Sequence, residues 1–451
     1  MAPKQRRGAS RGRRPRSNRE APTAPEPQAP APEAAAPRFA PGPRRFLFIT
    51  VAAALATALI AAGLFTVFRG GGSAPTCDAD AAGWNGEGAG PANTGTATAG
   101  IKDPPLTGWK PQWSYPPASA AASDRVTAPP AAASGTVYTA TDTGTLVAVD
   151  AATGREQWTS PAAQGEEGTV GTPIALDGCG AVLATTFQAS GGEPAGTMRA
   201  VDLRTHQRRW AVATADEIFS APQIVDGVAY AGLTFQAASG GLDRTHVLDG
   251  YYLSDGSRAY RKDFNAAVTA SPASDHQRIW IGDLDQNLYA LGPGGRQLWT
   301  YTTGGIVALP AMYDGNSVYV ASADHSVASL DPGSGREHWS VAVGEVQAPM
   351  AVSGDTLLVA DADGTVHALR TATGAELWHA DMGARVSRAV AVAGDRVFVV
   401  DDDGVLHVLD RSSGRQTASW TAPAPPAGAP AIASGHLYLV CQDGRLYALP
   451  L

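Results

Sequence analysis

The feature that most constrains this chain is a repeat that begins at Trp109 and continues to the last residue. One unit stands out at 346–378, VQAPMAVSGDTLLVADADGTVHALRTATGAELW. It reads as four short apolar strands separated by Ser353-Gly354, Asp363-Gly364 and Thr373-Gly374. Asp-Gly and related pairs favour tight hairpins because glycine tolerates positive φ. A Gly-x-x-x-aromatic corner sets the register: Gly154 to Trp158, Gly256 to Tyr260, Gly295 to Trp299, Gly335 to Trp339, and Gly374 to Trp378. His206 replaces the glycine before Trp210, and Trp420 comes two residues late after Gly414. From Trp158 to Trp420 the aromatic spacings are 52, 50, 39, 40, 39 and 42 residues. Four short strands in roughly 40 residues is the pattern of a propeller blade.

Closure is visible too. The last unit, 429–451, has three strands, and the segment 109–115 (WKPQWSY) is available as the fourth. Seven whole units and one split unit predict an all-β, eight-bladed propeller without an open edge strand. Domain limits follow: 1–45, 46–68, 69–108, and a propeller over 109–451. The tryptophan series Trp113, Trp158, Trp210, Trp299, Trp339 and Trp378 gives one large aromatic per blade, expected to pack between blades rather than to form a ligand cage.

The pattern Leu-Tyr-Ala-Leu-Asp-x-x-x-Gly-x-x-x-Trp resembles the PQQ-like, quinoprotein-type propeller repeat. So does the preceding stretch Trp84-Asn85-Gly86, Asn93-Thr94-Gly95 and Trp113. The resemblance covers about 84–451 and extends to BamB-like membrane-associated propellers. It implies a fold more than a function, since this architecture hosts many activities. Dehydrogenases of that repeat carry, by the resemblance, adjacent cysteines against the cofactor. The three cysteines here, Cys77, Cys179 and Cys441, are far apart. No cofactor and no enzymatic activity are therefore expected. A binding scaffold of the cell envelope is the leading expectation, a ligand-sensing ectodomain the alternative, and a quinoprotein dehydrogenase the third.

Charge divides the chain. Residues 1–45 hold eleven Lys/Arg and three acids; the remainder holds 23 basic and 39 acidic residues. The first part, rich in Pro, Ala and Arg, lacks the apolar surface needed to order itself. Residues 46–68, FLFITVAAALATALIAAGLFTVF, are uncharged and long enough to span a bilayer as a helix. Arg44 and Arg45 on one side, against Arg69 alone on the other, predict a cytoplasmic N-terminus and an extracytoplasmic propeller. A cleaved signal is the competing reading, but its apolar core is ordinarily shorter. The basic arm is read as a topology signal, and no nucleic-acid binding is expected of the propeller.

Several chemical motifs reduce to turn chemistry. Asp361-Ala-Asp363-Gly364 and Asp401-Asp402-Asp403-Gly404 open like calcium loops, but the twelfth positions are Ala372 and Ser412 instead of Glu. His367 and His407 occupy matching places without metal-ligand spacing. What remains is one face. The second-to-third-strand turns and blade connections fall together, and there the units ending at Trp210 and Tyr260 carry about ten extra residues. That face is the candidate recognition surface: Glu166, Glu167, Phe187, Gln188, Glu193, Asp216, Glu217, Phe235, Gln236, Asp243, Asp283, Asp285, Asp361, Asp363, Asp401 and Asp403. Its acidity predicts a cationic protein or envelope partner, and the linker is expected to join the opposite face. In the strand order implied by the family, Cys77–Cys179 is the expected disulfide, with Cys441 free.

Overall fold

The structure is a computed structural model. It describes residues 96–97, 109–116, 125–164, 168–177, 180–188, 194–214, 217–234 and 246–451. Eight antiparallel sheets follow one another along the chain. Blade 6 is representative, with an inner strand Ala351–Ser353, then Thr356–Ala360, Thr365–Arg370 and an outer strand Glu376–Asp381. The inner strand is short and built of small residues, as required where eight strands converge on an axis. The outer strand alternates exposed and half-buried side chains.

Blade 8 takes its inner three strands from Ala431–Ala433, His436–Cys441 and Arg445–Pro450. Its outer strand is Trp113–Tyr115, which pairs antiparallel with the third through Trp113↔Ala448 and Tyr115↔Leu446. The ring therefore closes with the two ends of the repeat in one sheet, as the unit count predicts. Among the described residues no helix is long and apolar enough to cross a membrane, and residues 46–68 lie outside them.

The apolar core is distributed over the blade junctions. Val182, Trp210, Leu233 and Tyr251 join blades 2 and 3. Leu358, Val366, Val386 and Val399 join blades 6 and 7. The repeated aromatic acts here. The indole Nε1 of Trp113, Trp210, Trp299, Trp339 and Trp378 donates to the carbonyl of Ala151, Leu253, Pro332, Thr371 and Arg411 in the next blade, at 2.8–3.1 Å. Each ring also lies on the corner glycine of that next blade. A Cβ on Gly335 would stand 2.7 Å from Trp299, and one on Gly374 would stand 2.8 Å from Trp339. The corner glycine and the aromatic four residues later thus face different neighbours.

Three junctions depart from the rule. His206, at φ +61, takes the corner place and stacks on Trp158 with centroids 4.4 Å apart. Tyr260 stands for tryptophan in blade 3. In blade 7 the register position is Ala418, opposite Val408 as Trp378 is opposite Ala368, and Trp420 sits beyond it against Tyr447. The missing indole is supplied from outside the blade. Trp109 is 5% exposed, packs in the cluster that includes Ala418 and Leu449, and donates Nε1 to the Pro450 carbonyl at 2.9 Å.

Several third-to-fourth-strand corners are held by aspartates. Asp331 accepts from the backbone N–H of Gly333 and Ser334, and Asp410 from those of Ser412 and Ser413. At Asp202 burial acts to raise the pKa, but the Arg209 guanidinium and the Thr205 and Arg204 N–H groups outweigh it and hold the carboxyl at about 2. Side-chain hydrogen bonds from Thr153, Ser334 and Ser412 lower Asp150, Asp331 and Asp410 as well. A carboxylate depressed in the folded state stabilises it above the unfolded value of about 3.9, and this contribution disappears as pH falls through the folded value. The urea midpoint is therefore expected to drop between roughly pH 4 and pH 2. Asp331→Asn should lower the midpoint at neutral pH and flatten that acid slope.

Candidate functional site

Each outer strand ends beside the turn between second and third strands, as in the pair Thr365↔Asp381. The connection to the next inner strand then runs inward on that side. Among the described residues these connections and turns consequently share one face, here the turn face. The opposite, corner face carries the first-to-second-strand turns and the aspartate corners.

At the axis the turn face opens into a funnel of about 240 Å³, lined by residues that lead into successive inner strands. Thr172, Phe219, Ser271, Leu309, Gln347 and Ser387 come from six blades, 2 to 7. Phe219 is 41% exposed, and beyond the funnel Leu284 and Ile306 on the same face are 36% and 41% exposed. The long units of blades 2 and 3 extend the hairpins on this side. Their second strands are Gly180–Gln188 and Val228–Thr234, against the five residues of Thr356–Ala360. Four extra residues add about 13 Å of strand. A short strand, Glu217–Ile218, pairs with Thr234 and Leu233 and brings Phe219 to the funnel.

The sequence-selected residues divide in the structure. Asp283, Asp361 and Asp401 are buried. Asp361 Oδ1 accepts from the N–H of Asp363 and Thr365, Asp283 Oδ1 from those of Asp285 and Asn287, and Asp401 Oδ1 from that of Val405. The second oxygen of each meets a side chain six residues on: Tyr289 Oη at 2.9 Å, His367 Nε2 at 3.2 Å, His407 Nε2 at 2.9 Å. These carboxylates fasten the turns from inside. Tyr289 is pushed up to about 12, by burial first and then by its bond to Asp283.

Asp285, Asp363 and Asp403 are exposed at the turn tips, and Glu217 is half-buried. Phe187 and Gln188 end the extended strand of blade 2, with Gln188 opposite Pro194. Glu166, Glu167, Glu193, Asp216, Phe235, Gln236 and Asp243 lie outside the described residues, as do Cys77 and Cys179. Cys441 is buried and free at the end of its strand; burial, then the Asp443 charge, pushes its thiol up to about 12. Among the described residues no three His, Cys, Asp or Glu side chains converge to hold a metal.

Charge separates the faces. On the corner face Asp202 pairs with Arg209 and Asp410 with Arg396. On the turn face Asp285, Asp363, Asp403 and Glu345 are exposed, Glu345 accepts from Gln347 Nε2, and Arg385 is engaged with Asp402. One element of this site has no signature in the sequence. Thr96–Ala97, within the segment 69–108, pairs parallel with the inner strand Ala391–Ala393 of blade 7 on the axial wall. Inner strands run from the turn face to the corner face, so Thr96–Ala97 does too. Trp109 and Trp113 lie toward the corner face, donating to the Pro450 and Ala151 carbonyls.

The fold has known relatives. BamB from Moraxella catarrhalis is similar over 76% of this chain and all of its own, at 19% identity and TM-score 0.62. The quinohemoprotein alcohol dehydrogenase of Comamonas testosteroni matches 83% of this chain and 82% of its own, at 13% identity and TM-score 0.66. The computationally designed Ika8 protein matches 73% and 96%, at 16% identity and TM-score 0.61. Identities this low are likenesses of fold. No curated protein matches the sequence. The family model described as outer membrane protein assembly factor BamB matches residues 105–253, 244–361 and 323–451. With eight PQQ-like blades and matches reaching from residue 105 to the C-terminus, the chain belongs to that family.

Proposed function

We propose that this protein is a non-enzymatic binding scaffold of the cell envelope, held to the membrane by residues 46–68 with its propeller outside the cytoplasm. Its turn face takes a protein partner. One observation carries the reading: the axial funnel with exposed Phe219 shares the turn face with exposed Leu284 and Ile306 and with the exposed carboxylates of Asp285, Asp363 and Asp403. The family description, an assembly factor, supports a role in holding other proteins. Apolar anchors rimmed by acidic groups suit a basic protein segment, whose capture weakens with salt.

The test is capture of envelope proteins by the full-length chain and by Phe219→Ser/Leu284→Ser/Ile306→Ser. None of the three side chains is in the core, so the variant should melt within a few degrees of the parent and lose a partner identified with the parent. Undiminished capture by the folded variant would contradict the assignment of this face.

A further inference from the structure

Blade 7 differs from the other blades at the axis. Thr96–Ala97 adds a strand on the axial side of its inner strand, with Thr96 opposite Val392 and Ala97 opposite Ala393. Among the described residues no other inner strand carries such an addition. The pairing is parallel, unlike the antiparallel ladders Ala391↔Phe398 and Ala351↔Leu358 beside it. Thr96–Ala97 also lies next to Ala351–Ser353, the inner strand of blade 6.

This seat is weak and open to exchange. Two residues form few backbone hydrogen bonds, and each has a small net worth because water competes for the same groups. Parallel pairing is slightly less stable per residue than antiparallel pairing. The propeller does not need the added strand, since Ala391–Ala393 is already paired with the second strand of its own blade. The seat also adjoins the funnel. Gln347 and Ser387 line the funnel, each four residues ahead of the inner strands that begin at Ala351 and Ala391.

Polarity and charge describe a replacement. Inner strands run from the turn face to the corner face, and a parallel occupant runs the same way. A chain end entering through the funnel takes that direction only if its C-terminus leads. A single end also enters more readily than a loop, which brings two strands. On blades 6 and 7 the turn-face acids Glu345, Asp363, Asp402 and Asp403 outnumber Arg385 and Arg388, which favours basic residues behind that end.

We propose that Thr96–Ala97 is an exchangeable strand that occupies part of the protein's own binding site. The extended, basic C-terminal tail of the protein partner displaces it and pairs parallel with Ala391–Ala393. This rests on the turn-face reading and adds how the partner is held and how the free protein covers its site.

The test uses full-length protein and the envelope partner captured by the parent. Ala97→Cys/Ala393→Cys places thiols on register partners in strands about 4.8 Å apart, within reach of a disulfide. Oxidation should fix the strand in place and weaken capture at least about tenfold, and reduction should restore it. The parent, treated identically, should capture equally in both states. Thr96→Gly/Ala97→Gly should loosen the strand and strengthen capture about five- to thirtyfold. Removing the partner's C-terminal tail should abolish capture. Equal capture by the oxidised and reduced double-cysteine protein, or by a tailless partner, would overturn the proposal and leave the turn face standing. A parent that captures no partner would contradict the turn-face reading itself, and this inference with it.

Discussion

Trp109→Ala should lower the unfolding free energy by about 3–5 kcal/mol, the range for truncating a buried large aromatic. The residue precedes the first strand of the propeller proper, where a linker residue would ordinarily tolerate any substitution. Yet it is 5% exposed and bonded to Pro450 near the end of the chain. It fills the place that Ala418 leaves in blade 7, at the junction where the ring closes. Truncating it removes packing and opens the seam at once. Urea unfolding should show the loss, with a smaller one for Trp420→Ala, since Trp420 is only half-buried. Adding Ala418→Trp to Trp109→Ala should restore part of the stability by returning the indole to the register position. A loss below about 1 kcal/mol would show that Trp109 contributes no more than a surface side chain.

Gly374→Ala is expected to be a strongly damaging single-methyl change. Its φ is +72, a region that costs an L-residue about 1–2 kcal/mol. The new Cβ would stand 2.8 Å from Trp339 and 2.9 Å from Val341. Overpacking of this kind costs about 1–3 kcal/mol. Together they predict a loss of about 2–5 kcal/mol. His206→Gly tests the same corner from the other direction. It relieves a left-handed histidine at φ +61 but gives up the stack on Trp158. The two effects oppose each other, and the net change should stay within about 1 kcal/mol. Thermal and urea melts of both variants would separate a corner that excludes side chains from one that has adapted to hold one.

These residues also show what the sequence discloses. The blade count was legible because turn chemistry recurs: most hairpins carry an Asp-Gly, Ser-Gly or related pair, and most corners a glycine. Blade closure was legible because a three-stranded last unit demands a partner. The seam was not. A lone tryptophan in a non-repeating segment has no register, so nothing ties Trp109 to the gap at Ala418. Thr96–Ala97 is too short to show any period, and its pairing is set by the axial wall rather than by its own side chains. On the turn face the sequence offered acidic residues without separating roles. In Asp361-Ala-Asp363 the first carboxylate is buried in the turn and the third is exposed. A signal for this was present: Asp283/Tyr289, Asp361/His367 and Asp401/His407 share a six-residue separation, which places the second member on the adjacent strand, facing back toward the turn.

The assignment of the turn face as the partner-binding surface is tested most directly by photo-crosslinking in intact cells. A benzophenone amino acid would be placed at Phe219, in the funnel, or at Tyr252, 47% exposed on the corner face. The account predicts a discrete protein adduct from position 219, weakened when the ionic strength is raised and lost in Leu284→Ser/Ile306→Ser, with none from position 252. Adducts from position 252 and none from 219 would contradict it.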